Sequence, residues 1–272
     1  MVSGHGFPAM VKYLILFMSL FISTVIIAQS DSVQTMLQHP ERELTDKIRD
    51  SARKPAQVLE FLGIEPGMKV LELYAGGGYY TVILSAAVGE NGIVYAQNSP
   101  RVLRYEEDRS ETTAGEALDA KLKALAISNV RRIDASFNDI HFLPNSLDAV
   151  VVFQVFHDYY NGNSENGSPN RAEQMMAKIK EGLKPGGVVG IIDHVGNPGA
   201  DNRRFHRMQK KDAIAVVEKA GFVVEADSEL LANPKDDHRR SIFDPRLNRD
   251  TDRFLLRVRL PGLSQAESSQ RQ

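Results

Sequence analysis

The chain reads as an α/β protein built on a doubly wound, mostly parallel, seven-stranded sheet. Three observations predict it. First, the apolar run of Val70, Leu71 and Leu73 leads through Gly76-Gly77-Gly78 into Tyr79 to Val88, an apolar stretch of helical length. Strand, glycine turn and helix together let backbone N–H groups approach a nucleotide-like ligand. A Cβ in that turn would obstruct both the bend and the approach. Second, strand-like and helix-like segments alternate along most of the chain, the pattern of a parallel sheet covered on both faces. Third, Leu147 to Phe153 (LDAVVVF) is a nearly continuous β-branched run, the mark of a central strand buried on both sides.

The elements follow in order. Glu41 to Arg53 reads as a charged helix ended by Lys54-Pro55, and Pro55 opens a second helix through Leu62 with Gly63 as its stop. Strand one is Met68 to Leu73. The helix from Tyr79 ends at the turn cluster Gly89-Glu90-Asn91-Gly92, and Ile93 to Ala96 is strand two. A helix is expected over Glu111 to Ile127, strand three over Val130 to Ile133, and strand four over Leu147 to Phe153. Residues 161–170, rich in Asn, Gly and Ser, read as a mobile loop. Arg171 to Leu183 is a helix stopped by Lys184-Pro185-Gly186-Gly187, followed by strand five, Val188 to Ile192. Lys211 to Ala220 is a helix. Phe222 to Glu225 and Arg253 to Leu260 are later strands, and the last has no helix before it, which makes it antiparallel. Four segments result: a signal peptide or anchor at 1–28, a linker at 29–43, the folded domain at 44–262 and a polar, disordered tail at 263–272.

Composition sets bounds. The 272 residues suffice for one large α/β domain. Net charge is −2, so no global basic field gathers nucleic acid. There is no cysteine, which removes disulfides, thiolate metal sites and a cysteine nucleophile. Lys12 before the apolar run Tyr13 to Ala28, then Gln29-Ser30-Asp31, makes a secretory signal, with Met10 the better translation start. The expectation is a periplasmic or otherwise extracytoplasmic protein cleaved near Ala28. An uncleaved anchor is the alternative and the only expected membrane contact. Neither a Gly-x-Ser-x-Gly elbow nor a phosphate-loop Gly-Lys-Ser/Thr is present, which argues against an α/β-hydrolase or a P-loop NTPase.

Ligands in such sheets sit beyond the carboxyl ends of the strands, so those residues carry the chemistry. Glu72 ends strand one, Asn98 follows strand two and Asp134 follows strand three. Phe156-His157-Asp158 follows strand four, Asp193-His194 ends strand five, and His206-Arg207 comes shortly after. The chain has seven histidines, and three fall at or near this edge. Imidazole is the side chain suited to move protons near neutral pH. His157 is the first candidate base, with His194 or His206 second. A rival is a zinc or iron site from His157, His194 and His206 with a carboxylate, although no close histidine spacing supports it; the expected site is metal-free. Arg239, Arg240 or Arg253 could hold an anionic substrate group.

Val70 to Thr81 resembles the first motif of class I S-adenosylmethionine-dependent methyltransferases: apolar strand, acid, glycine-rich turn. Leu183-Lys184-Pro185-Gly186-Gly187 and Ser146-Leu147-Asp148 fit the same family. More closely, the chain is similar over Glu43 to Pro261 to a group of exported bacterial methyltransferases. The matching stretches are Arg49-Asp50, Arg53-Lys54-Pro55, Gly76 to Thr81, His157-Asp158, Asp193-His194, His206-Arg207, Asp236-Asp237 and Thr251 to Phe254. The resemblance implies a Rossmann-like methyltransferase fold and S-adenosyl-L-methionine as cofactor, held by Glu72, Tyr74, Gly76, Gly77, Gly78, Asn98 and Asp134. Asn98 stands where the family places a ribose-binding acid, and Tyr74 where it has its first glycine. The resemblance implies methyl transfer to a small-molecule acceptor. Tyr74 and Asn98 keep the alternative open: a fold that has lost catalysis and serves as a binding or interaction module.

Overall fold

The computed structural model describes residues 31–106, 112–162 and 171–262. The expected signal peptide, most of the expected loop at 161–170 and the expected polar tail lie outside the described residues. Among the described residues no helix is long and apolar enough to cross a membrane.

The expected sheet is present, with seven strands in the order β3-β2-β1-β4-β5-β7-β6. The strands are β1 (Lys69–Leu73), β2 (Ile93–Gln97), β3 (Val130–Ile133), β4 (Leu147–Phe153), β5 (Leu183–His194), β6 (Val223–Ser228) and β7 (Arg253–Arg259). β1 pairs in parallel with β2 and β4, β2 with β3, and β4 with β5, whereas β7 is antiparallel to both β5 and β6. The chain winds leftward from β1 to β3 and rightward from β4, so the switch point lies between β1 and β4, where such sheets bind ligands.

Side-chain alternation along the strands builds two cores. Val70, Ala149, Val151, Ile192 and Leu255 face one side, packed with Val58, Leu59 and Leu62 of α3 (Pro55–Leu62) and Ile83 and Leu84 of α4 (Tyr79–Val88). Leu71, Leu73, Val150, Val152, Ile191 and Leu256 face the other side. They meet Met175, Met176 and Ile179 of α8 (Arg171–Gly182) and Val216 and Val217 of α10 (Lys210–Lys219). α4 is buried nearly all round, because it carries α3 on its outer side. Between these elements lie α2 (Leu44–Arg53), α5 (Pro100–Leu103), α6 (Ala114–Ala124), α7 (Phe156–Tyr160) and α9 (Asn202–Phe205).

Three differences from the sequence reading have simple causes. The segment expected as a linker is helical over 31–37 (α1): Val33 and Leu37, one turn apart, pack into the α3–α4 core. The Lys184 to Gly187 stretch, expected only to stop a helix, lies within β5, whose pairing with β4 slips between Leu147 and Ala149. α7 was not expected as a helix; five residues are too few to show a helical period.

Candidate functional site

The glycine turn leaves the end of β1 as expected, although its first position is occupied by a tyrosine. Tyr74 adopts φ +57°, the left-handed conformation that normally calls for glycine. Its backbone N–H donates to Gln97 Oε1 at 3.2 Å, and its hydroxyl meets that of Tyr159 on α7. The rings pack edge-to-face with centroids 5.6 Å apart. Tertiary contacts thus hold the bend that glycine would give freely. Gly76 (φ +56°) and Gly78 (φ +85°) supply the remaining left-handed positions. A Cβ on Gly78 would lie 2.6 Å from Leu118 Cδ1, whereas one on Gly76 would meet nothing within 4 Å. The room beside the loop is therefore at Gly76.

Three residues expected to meet the cofactor also have partners within the protein. Asn98 is fully buried and spent on the loop itself: its Oδ1 accepts from Gly76 N at 2.9 Å, and its Nδ2 donates to Gly76 O at 3.0 Å. It ties the glycine turn to the end of β2. Asp134 pairs with Arg132 at 2.7 Å on the surface. Glu72 is buried under α4, where Thr81 Oγ1 donates to its Oε2 at 2.5 Å. Burial pushes its carboxyl up to about 8, against the pull of Thr81 and Arg53. Gln97, which the sequence reading passed over, ties the edge together by also donating to Ala135 O at 2.8 Å.

α2 lies over the first turn of α4. Tyr79 donates to Asp50 Oδ1 at 2.7 Å, Arg42 clamps the same carboxylate, and Arg53 stacks 4.3 Å from the Tyr79 ring centroid. The Arg49-Asp50 and Arg53 stretches therefore cover the glycine-loop helix.

At the ends of β4 and β5 the three expected histidines come together. The His157 ring lies 5.8 Å from His194 and 5.6 Å from His206, centroid to centroid. Asp193, fully buried, organises them. Its Oδ2 accepts from His157 N, and its Oδ1 accepts from His194 N and meets His157 Nδ1, all at 2.7 Å. A carboxylate already accepting backbone N–H groups leaves His157 Nδ1 as the donor, so Nε2 is the nitrogen turned outward. Nε2 lies 3.3 Å from Asp158 Oδ1, which also meets His206 Nδ1 at 3.2 Å. His157 and His194 are buried, whereas Asp158 and His206 open to solvent. His194 Nδ1 meets Thr251 Oγ1 at 2.6 Å, so this histidine is held by the start of β7.

The two buried imidazoles are driven apart electrostatically. Burial works against a charge on His157, but Asp193, helped by Asp158, outweighs it and holds the ring above its ordinary range. Burial, with the fields of His157, Arg253, Arg207 and Arg53, holds His194 well below that range. His157 is thus the ring that carries charge.

The surrounding charges are structural. Arg207, fully buried, makes a two-pronged pair with Asp236 at 2.9 and 3.0 Å and donates to Val195 O and Arg240 O. This fixes His206, whose own φ is +55°. Arg253 is buried, and it donates to Ala52 O and Thr251 O; Arg240 donates to Asp237. Neither is therefore set to hold a substrate anion. Phe243, largely exposed, packs edge-on to His206 with centroids 5.0 Å apart. The carboxylates Asp193 and Asp158 were missed as site residues, although each sits beside a histidine in the sequence.

A model of the protein-L-isoaspartate (D-aspartate) O-methyltransferase family matches residues 44–130, the glycine-loop portion of the fold. A demethylmenaquinone methyltransferase of Staphylococcus aureus is 26% identical over 139 residues, 50% of this chain and 47% of its own. An uncharacterized methyltransferase of Synechocystis is 27% identical over 140 residues, 50% of this chain and 51% of its own. The chain thus spans about half the length of the curated relatives it matches. Among solved structures, an S-adenosylmethionine-dependent methyltransferase from Aquifex aeolicus superposes with a TM-score of 0.55 at 21% identity, over 85% of this chain and 98% of its own. The [4+2]-cyclase SpnF superposes at 0.56 with 15% identity, over 78% and 81%. The order of strands, the glycine turn at β1 and the antiparallel β7 together give this chain the Rossmann-like fold of class I S-adenosylmethionine-dependent methyltransferases.

Proposed function

We propose that the protein transfers a methyl group from S-adenosylmethionine to a small-molecule acceptor seated in the His157–His206 cleft, and that it works outside the cytoplasm. The observation that carries this reading is the pairing of two features at one sheet edge. One is a glycine turn with open room at Gly76, on the switch point between β1 and β4. The other is an outward-facing imidazole nitrogen on His157, oriented by a buried carboxylate at the ends of the next strands.

The cradle at Gly76 and Gly78 fits the cofactor, since a side chain at Gly76 would fill the room a ligand needs. When bound, S-adenosylmethionine supplies a methyl group on a positively charged sulfur. Gly76, Gly77 and Gly78 would receive it, with Tyr74 and Asn98 keeping the turn in shape. His157 activates the acceptor through Nε2, with Asp193 fixing the ring and His194 staying neutral beside it. Export is supported by Lys12, the apolar run to Ala28 and the polar stretch after it.

Calorimetric titration of the purified protein with S-adenosylmethionine and S-adenosylhomocysteine tests the reading. Ligand at 100 times Kd raises stability by about 2.7 kcal/mol, plainly visible in melting. Gly76→Val should abolish binding. His157→Gln should lower turnover about 10²–10⁴-fold while leaving cofactor affinity in place. Mass spectrometry of the cell envelope should find an N-terminus near Gln29. No heat and no melting shift at millimolar ligand would favour a second reading, a binding module on a methyltransferase fold. Asn98 supports that reading, because its amide is consumed by Gly76, and a cyclase on the same fold shows that the fold does not dictate methyl transfer.

A further inference from the structure

We propose that His157, Asp158 and His206 form a binding site for one divalent transition-metal ion of zinc type, and that this ion is how His157 activates the acceptor. The site itself does not depend on the methyl-transfer reading; only its role does.

The geometry is that of a site with two imidazoles and one carboxylate. One ligand atom from each residue lies within 4.8 Å of the others. His157 Nε2 to Asp158 Oδ1 is 3.3 Å, and Asp158 Oδ1 to His206 Nδ1 is 3.2 Å. Zinc–nitrogen and zinc–oxygen bonds of about 2.0–2.1 Å in a tetrahedron put neighbouring ligand atoms about 3.3 Å apart. Two edges of the site already have that length.

A second, independent observation lies behind the ligands. His157 Nδ1 is tied at 2.7 Å to Asp193, a fully buried carboxylate. Carboxylate, histidine and metal in line is the usual support of a metal-binding imidazole: it fixes the tautomer and raises the basicity of the outer nitrogen. With Nδ1 committed as donor, Nε2 is the nitrogen aimed at the Asp158 oxygen, 3.3 Å away, and a metal ion there would take the place that a proton on Nε2 otherwise fills. Asp158 follows His157 in the first turn of α7, so its carboxylate starts beside the imidazole. His206 is held from below by the Arg207–Asp236 pair and by a bridge between Val195 and Met208.

His194, which the sequence grouped with the other two, stands outside the cluster, its Nδ1 occupied by Thr251. The donor set of two nitrogens and one oxygen suits zinc, iron or cobalt over magnesium or calcium. Three protein ligands with Asp158 and His206 on the open side leave a coordination position facing the cleft. Ions held in this way bind and acidify a water or hydroxyl group.

The test uses the full chain without a histidine tag, stripped with chelator and dialysed against micromolar zinc, then cobalt as its spectroscopic stand-in. The expected result is one ion per chain and a visible cobalt absorption of low-coordinate type. Asp158→Asn and His206→Ala should each weaken binding by at least tenfold, and both residues are exposed enough to be replaced with melting little changed. Asp193→Asn, behind the site, should weaken it about 10–100-fold. His238→Ala, at a histidine bonded to Asn197 and Asp252, should leave binding as it is. No retained ion, or equal retention in Asp158→Asn and His206→Ala, overturns the proposal. Titration with S-adenosylmethionine is read separately, so a missing cofactor and a missing metal give different results.

Discussion

Glu72→Gln should stabilise the protein, and by more the higher the pH. Glu72 is buried beneath α4, and its carboxyl is pushed up to about 8 from an ordinary 4.5. A raised value means that the folded state holds a proton the unfolded chain has released. Stability from this group is therefore intact below pH 4.5, falls through the window from 4.5 to 8, and is level above it. Each pH unit in that window costs about 1.4 kcal/mol. At pH 7 the loss is two and a half units, or about 3 kcal/mol; above pH 8 it is about 5 kcal/mol. Gln has the same size, does not titrate, and can still accept the Thr81 hydroxyl. Denaturant unfolding of both proteins from pH 4.5 to 9 should show curves that meet in acid and separate with rising pH. At roughly 2–4 °C per kcal/mol for a domain of this size, melting at pH 7 should rise by about 10 °C. A pH-independent difference would refute the reasoning. So would a variant that weakens as pH rises, because Glu72 would then be ionised and held by Arg53.

Other expectations follow from the same geometry. In a ring-proton NMR titration His157 should titrate above about 6.5 and His194 well below it. Correspondingly, the stabilisation from His157 is present in acid and fades as pH rises through its raised value, whereas that from His194 is lost as pH falls below about 6.5; identical midpoints would contradict the Asp193 assignment. Asp236→Asn should cost about 3–5 kcal/mol in urea unfolding, because Arg207 is left charged and buried without its partner; a loss under 1 kcal/mol would show the pair to be dispensable. Gly76→Ala should cost only left-handed strain, about 1–2 kcal/mol. Gly78→Ala should cost about 1–3 kcal/mol more from the clash with Leu118, and equal melting losses would refute that contact.

Much of this fold is legible in the chain. β3 and β4 fall on the residues expected, β4 from its β-branched run, and the glycine turn lies where an apolar strand meets an apolar helix. The histidine group is legible because the topology brings strand ends to one edge: His157 follows β4, and His194 ends the adjacent β5. What stays hidden depends on partners distant in sequence. The place of Asn98 after β2 does not reveal that its amide matches the backbone of Gly76, 22 residues earlier. Tyr74 breaks a local rule, and only its contacts with Gln97 and Tyr159 show how the left-handed bend survives. The scattered motifs Arg49-Asp50, Arg53, Asp236 and Thr251 make sense only once the chain has folded them around this same edge.

The position of β7 sets the order in which this edge can be completed. It is the last strand made, yet it lies inside the sheet, between β5 and β6. Until it is inserted, β5 presents an unpaired edge, β6 has no neighbour, and His194 lacks the Thr251 hydroxyl. On a partly synthesised chain His194 therefore lacks this support, even when every residue of β1 through β5 is already present. Such a topology acts as a timer: the support that β7 gives to this edge arrives only with the final strand.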